Sequence, residues 1–252
     1  MTRKKLYKVL DARGAPMHGG HGKWSLPRGG KPGKWMPPVR GPIKACRNGY
    51  HLCGRVDIGL WLGRDAVYVY EAEGRGDRVH DADKVAFREA RLVRLVGELD
   101  ARALLHFAAD CAEHVLPLFE TARPGDDRPR KAIRAARDYA DGDIDETAWA
   151  AAGTAAGTAA GTAAGTAAGT AAWYAAVAAA RAAAGTAAGT AARAAAEAAA
   201  RAAAEAAAVA AARAAARPAA GDAAWAAAWA AAWAAERRWQ TRRLWRYLEA
   251  PR

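Results

Sequence analysis

The sequence predicts an α+β protein: a small β-rich domain over residues 1–98, then an all-α, alanine-rich antiparallel helical bundle over residues 99–252. Three observations lead there. Short apolar runs with strand-like alternation, punctuated by Gly, Pro, Asn and Asp, recur through the first hundred residues. Two apolar patterns of helical period follow between residues 100 and 140. From Trp149 to Arg237, finally, every fourth residue is something other than alanine, and most of what lies between is alanine, the strongest helix former.

In chain order, Leu6–Leu10 reads as a first strand, ended by Asp11-Ala12-Arg13-Gly14. Residues 14–45 hold too much Gly, Pro and Lys for a helix and are expected as loops with short strands. Asn48-Gly49 signals a turn, and Val56–Leu62 one or two helical turns. Ala66–Glu73 alternates as a strand, Gly74-Arg75-Gly76-Asp77 is expected to turn it, and Lys84–Val93 forms the next strand. Glu71 and Glu73 fall on one face, as a salt-bridged surface.

Asp100 is placed to cap a helix whose apolar face runs through Leu104, Leu105, Phe107, Ala108, Cys111, Val115 and Leu118. Asp126 and Asp127, with Pro129 in the first turn, open a second helix with Ala132, Ile133, Ala136 and Tyr139 inward. In the repeat, a step of four residues overshoots the 3.6-residue turn by about 40°. Gly153 to Gly169 therefore drift around the helix, although each local Gly-x-x-x-Gly permits close backbone approach. Arg217-Pro218 and Gly221-Asp222 break the tract and start a last helix. Its face carries Trp225, Trp229, Trp233, Trp239, Leu244, Tyr247 and Leu248, with Arg238, Arg242 and Arg246 opposite.

Charge is the most informative compositional feature. The net charge of +12 lies wholly within residues 1–64, where 14 Lys and Arg face only Asp11 and Asp57; the remainder balances. Within that quarter the triplet Gly-Lys-Trp occurs twice, and Lys23, Arg28, Lys31 and Lys34 with Trp24 and Trp35 are candidates for phosphate contacts and base stacking on single-stranded nucleic acid. The rival reading is a solvated basic loop whose tryptophans cover a small sheet. Cys46, His51 and Cys53 are weak metal candidates, since no Cys-x-x-Cys pair or second half-site accompanies them. Three cysteines make no disulfide framework and no apolar run follows the basic start, so a cytoplasmic chain without cofactor is expected. No nucleophile–base pair or phosphate loop has catalytic spacing, which argues against an enzyme.

Two resemblances add to this. The Tyr-Lys-Val strand, Cys-x-Asn-Gly-Tyr-His-x-Cys, Tyr-Glu-Ala-Glu-Gly and Asp-Lys-Val together resemble an uncharacterised domain of bacterial and phage-associated proteins, from which no activity carries over. The run Phe107-Ala108-x-Asp110-Cys111-Ala112-Glu113-x-Val115-Leu116-Pro117-Leu118-Phe119-Glu120, followed by Asp126-Asp127-Arg128-Pro129-Arg130-Lys131-Ala132-Ile133, is similar to immunity proteins of bacterial polymorphic-toxin systems. The match spans roughly residues 100–250. That resemblance implies an all-α protein that occludes a cognate protein toxin, with Asp110, Glu113, Asp126, Asp127 and Arg128 as partner-binding residues. The alternatives are nucleic-acid binding through residues 1–64 and a purely structural helical spacer. No membrane partner is expected, because the uncharged alanine stretch lacks the Leu, Ile, Val and Phe that drive insertion.

Overall fold

The computed structural model describes residues 4–62, 67–163, 205, 209, 210 and 222–250. Most of the four-residue repeat, with Trp173, Tyr174 and the Pro218 break, lies outside these residues. The chain divides into two compact units, residues 1–100 with 244–252, and residues 101–243. The protein is α+β, with its strands in the first unit and its long helices in the second.

Four strands build the first unit: β1 (Leu6–Leu10), β2 (Tyr50–Cys53), β3 (Val67–His80) and β4 (Lys84–Leu99). They close on themselves in the order β1-β2-β4-β3, every neighbouring pair antiparallel. Closure leaves both strand faces something to bury. Leu10, Trp24, Leu52, Tyr70, Ala72, Phe87, Ala90 and Leu92 form the interior cluster. On β1 the opposite face carries Tyr7, which meets Trp245 edge-on at 5.1 Å. A barrel this small has no room for a side chain at Gly74, where a Cβ would land inside the Phe87 ring.

Two sequence expectations change here. Gly74–Asp77 does not turn the chain; the strand runs on to His80 and the turn comes at residues 81–83. The register against β4 shifts between Arg75 and Arg78, with Gly76 at φ 76°, so the glycine pair serves a bulge. Likewise β4 outlasts the expected Val93 because its pairing with β3 extends to Val67 opposite Leu99. Residues 14–45 contain isolated bridges but no strand. Its Pro-rich part instead tracks β4, with the amides of Gly33, Met36 and Val39 donating to the carbonyls of Leu92, Ala90 and Arg88. Prolines 32, 37 and 38 have no amide to give, so the edge is covered without a regular ladder. Arg55–Trp61 is a 3₁₀ segment.

The second unit contains α1 (Ala101–Ala122), α2 (Arg128–Asp141), α3 (Glu146–Ala163) and most of α4 (Asp222–Leu248). The expected apolar positions of α1 from Leu104 to Val115 are buried, as are Ala132, Ile133 and Ala136 of α2. Gly142 ends α2 in the left-handed region at φ 86°. Tyr139 stacks on the fully buried Trp149 at 4.1 Å.

The start of the repeat follows the predicted drift. Gly153 is buried, whereas Gly157, one step later, is exposed with open space where a Cβ would go. Ala156 and Ala159 take the buried face instead. Thr154 and Thr158 bond back to the carbonyls of Ala150 and Thr154.

On α4, Arg238, Arg242 and Arg246 are exposed, and Trp229, Trp233 and Trp239 are half-buried. Residues from Leu244 onward belong to the first unit, where the Arg55 guanidinium lies 3.9 Å from the Trp245 ring centre and Gly97 leaves space for the Leu248 backbone.

Candidate functional site

A cavity of about 300 Å³ opens beside β1 and β2, at the low end of the range for small-molecule sites. Its polar wall is Lys8, His18, Cys46, Arg47, His51 and Lys84, with Trp61 and apolar atoms of Val9, Met17 and Leu52 completing it. No carboxylate belongs to the described lining.

Lys8 is placed there by β1. It shares a face with Leu6 and Leu10, which pack on the interior cluster, so its stem turns inward with theirs. Its ammonium donates to the His51 carbonyl at 3.2 Å and lies 5.4 Å from the Trp24 ring centre. Loss of hydration lowers its pKa from 10.5 to about 8. The neighbouring Cys53 thiol donates to the Tyr7 carbonyl at 3.6 Å. Burial pushes that thiol up to about 12, so it stays neutral.

Lys84 differs from Lys8 in being fully paired, 2.7 Å from Asp83 and 3.1 Å from Asp81, and the Asp83 hydrogen bond chiefly raises its pKa. His51 Nε2 accepts the Cys46 amide at 2.9 Å, which puts the ring proton on Nδ1. Burial first, and then the Lys8 and Lys84 ammoniums, lower the His51 pKa. His18 Nε2 donates to the Leu62 carbonyl at 3.0 Å and meets Trp61 edge-on. The Trp61 indole N–H is buried and has no hydrogen-bond partner among the described residues. Of the weak metal candidates, His51 accepts through Nε2 and Cys53 is buried with its thiol on the Tyr7 carbonyl, while Cys46 is exposed. No metal-binding group of three forms among the described residues.

The basic candidates separate into two fates. Arg28-Gly29-Gly30-Lys31 is a tight reversal in which Arg28 and Lys31 exchange backbone hydrogen bonds of 3.1 and 3.0 Å. Gly29 and Gly30 adopt φ 56° and 72°, as a two-residue primed turn requires. Lys23 and Lys34 flank it, and the Lys34 amide is fixed by the Ser25 hydroxyl at 3.0 Å. All four cations are exposed, and none has a carboxylate partner among the described residues. Both tryptophans are engaged within the unit. Trp24 is 7% exposed and packs edge-on against Tyr50 in the interior. Trp35 is half-buried, with the Arg75 and Arg91 guanidiniums 4.2 and 4.7 Å from its ring centre.

In the helical unit, Asp110 is withdrawn from the surface. It is 6% exposed and held by Arg137 at 3.0 Å and Arg243 at 2.5 Å. Glu113 is exposed but chelated by the same Arg137 at 2.7 Å, whose hydrogen bond lowers its pKa. Asp126 and Arg128 pair with each other at 2.6 Å, and Asp127 pairs with Lys131 at 3.0 Å on the surface. Nearby, His114 stacks on Trp239 at 3.9 Å with Nε2 3.2 Å from buried Glu236.

Sequence reasoning missed Lys8, His18, Trp61 and Lys84. Only Lys8 had a usable signal, a lysine inside the apolar strand Leu6–Leu10. Among the described residues, no helix is long and apolar enough to cross a membrane. No family model, no curated protein and no solved structure matches the chain.

Proposed function

We propose that the barrel unit binds nucleic acid through its phosphate backbone, using the exposed cations Lys23, Arg28, Lys31 and Lys34. One observation carries the reading: Arg28 and Lys31 face each other across a two-residue turn with no carboxylate partner among the described residues. Like charges directly opposite destabilise a strand pair by up to about 1 kcal/mol, and a polyanion relieves that repulsion. With Trp24 buried and Trp35 covered by arginines, bases are not stacked by these rings, so recognition is electrostatic and tolerant of sequence. The test is anisotropy of a labelled single-stranded oligonucleotide against the full chain across a salt series. Replacing Lys23, Arg28, Lys31 and Lys34 by Gln should flatten the log–log salt slope by about 0.7 for each phosphate no longer neutralised. An unchanged slope overturns the reading.

A second reading concerns the helical unit, where the segment similar to immunity proteins folds as the packed pair α1 and α2. Their side chains at Glu113 and Asp127 are 53% and 57% exposed, which suits docking against a basic toxin surface. In this reading the alanine-rich tract continues as an antiparallel bundle and Asp110 sets the spacing of the helices. Co-expression with the product of the adjacent gene tests it; absence of both a complex and rescue from toxicity refutes it.

A further inference from the structure

We propose that the cavity beside β1 and β2 binds a phosphomonoester group, with the Lys8 ammonium and the Arg47 guanidinium as its principal donors. This goes beyond backbone binding at the 28–31 turn and uses none of the same side chains.

The argument is a count of donors against acceptors. A lysine ammonium carries three protons, and Lys8 gives one to the His51 carbonyl. The described residues supply it no carboxylate. A half-buried ammonium with two protons uncommitted, on a cavity wall without a carboxylate among its described residues, points to a ligand that supplies acceptor oxygens. The nearest acceptors serve other donors: His51 Nε2 takes the Cys46 amide, and Asp81 and Asp83, outside the lining, pair with Lys84. Arg47 adds a third cation to the lining, and no carboxylate offsets it among the described lining residues. The unmet need is for negative charge and acceptor oxygens.

A phosphate monoester matches this better than a carboxylate. Its three terminal oxygens and double charge can accept from the Lys8 ammonium and the Arg47 guanidinium together. At about 300 Å³ the cavity also exceeds what a bare anion fills, and Met17, Val9 and Leu52 offer the organic remainder an apolar wall. The lowered pKa of Lys8 agrees, since a partly desolvated ammonium with no carboxylate beside it among the described residues gains from an incoming anion.

The same group arrives either on a small molecule or at the phosphorylated end of a strand. The experiment titrates the full chain calorimetrically, in phosphate-free buffer, with methyl phosphate, with acetate, and with short oligonucleotides bearing a 5′-phosphate or a 5′-hydroxyl. Methyl phosphate is expected to bind more tightly than acetate. Lys8→Met should weaken it by about tenfold or more, and Arg47→Gln by about threefold to tenfold. The variant with Gln at 23, 28, 31 and 34 should retain methyl phosphate affinity even as it loses oligonucleotide affinity. A gain for the 5′-phosphate over the 5′-hydroxyl oligonucleotide identifies a strand end as the source; equal binding identifies a small molecule. Failure of the wild-type chain to bind methyl phosphate, equal affinity for acetate, or undiminished binding by a folded Lys8→Met or Arg47→Gln variant overturns the proposal. None of those results touches the backbone-binding reading, which stands or falls on its salt slope.

Discussion

Replacing Lys8 by Met should make the protein more stable at neutral pH, and the margin should shrink as pH rises. Burial lowers the ammonium from 10.5 to about 8, so keeping it charged in the folded chain at pH 7 costs about 3 kcal/mol. Methionine preserves the stem and removes the charge. Against that gain stand the hydrogen bond to the His51 carbonyl and the interaction with Trp24, together worth about 1–2 kcal/mol. The net expectation is a stabilisation of about 1–2 kcal/mol at pH 7.

The sign with pH follows from the lowered folded value. Between about 8 and 10.5 the unfolded chain holds the Lys8 proton and the folded chain does not, so the wild type gains stability over that window. Cys53 acts oppositely. Its folded value is raised to about 12, so its contribution is complete below 9 and is lost as pH climbs toward 12. The difference between wild type and variant largely cancels that second effect. Urea unfolding of both proteins at pH 7, 8, 9 and 10 reads the gap. A gap that stays constant with pH, or a variant destabilised at pH 7 by more than about 1 kcal/mol, refutes the account of Lys8 as a buried, poorly hydrated cation.

Asp110→Asn should destabilise the helical unit by about 2–4 kcal/mol in urea unfolding, because Arg137 and Arg243 lose the carboxylate they share; the exposed Asp127→Asn should change it by less than about 0.5. Two glycine-to-alanine changes should move in opposite directions. Gly74→Ala drives a methyl into the Phe87 ring and should cost about 1–3 kcal/mol by thermal unfolding, whereas Gly157→Ala, with open space around it in α3, should stabilise by up to about 1.

Much of the fold was legible because it rests on local periodicity. β1, the alternation of β3 and β4, and the apolar faces of α1 and α2 were all visible as spacing. Asp110 was nearly visible too. At 100° per residue it lies about 60° from Phe107, on the margin of the apolar face, where a carboxylate without a cation would be expensive. Its cations, Arg137 and Arg243, lie 27 and 133 residues away, and no local pattern announces them. The glycine pair at 74 and 76 misled because a turn and a bulge ask for the same residues, and only the length of the partner strand decides between them.

The paired Gly-Lys-Trp triplets mark where local reading ends. Lys23-Trp24 and Lys34-Trp35 are chemically the same, yet Trp24 enters the barrel and Trp35 lies beneath two arginines on β3 and β4. What separates them is which strand each loop meets. Lys8 obeys the same logic in reverse. Alternation in a half-buried strand would send it to solvent, but closing four strands into a barrel buries both faces, and the lysine on the inner one loses hydration that a single carbonyl hydrogen bond replaces only in part. A lysine in the middle of a short apolar strand is therefore worth reading as a ligand-binding group whenever strand pairing closes on itself.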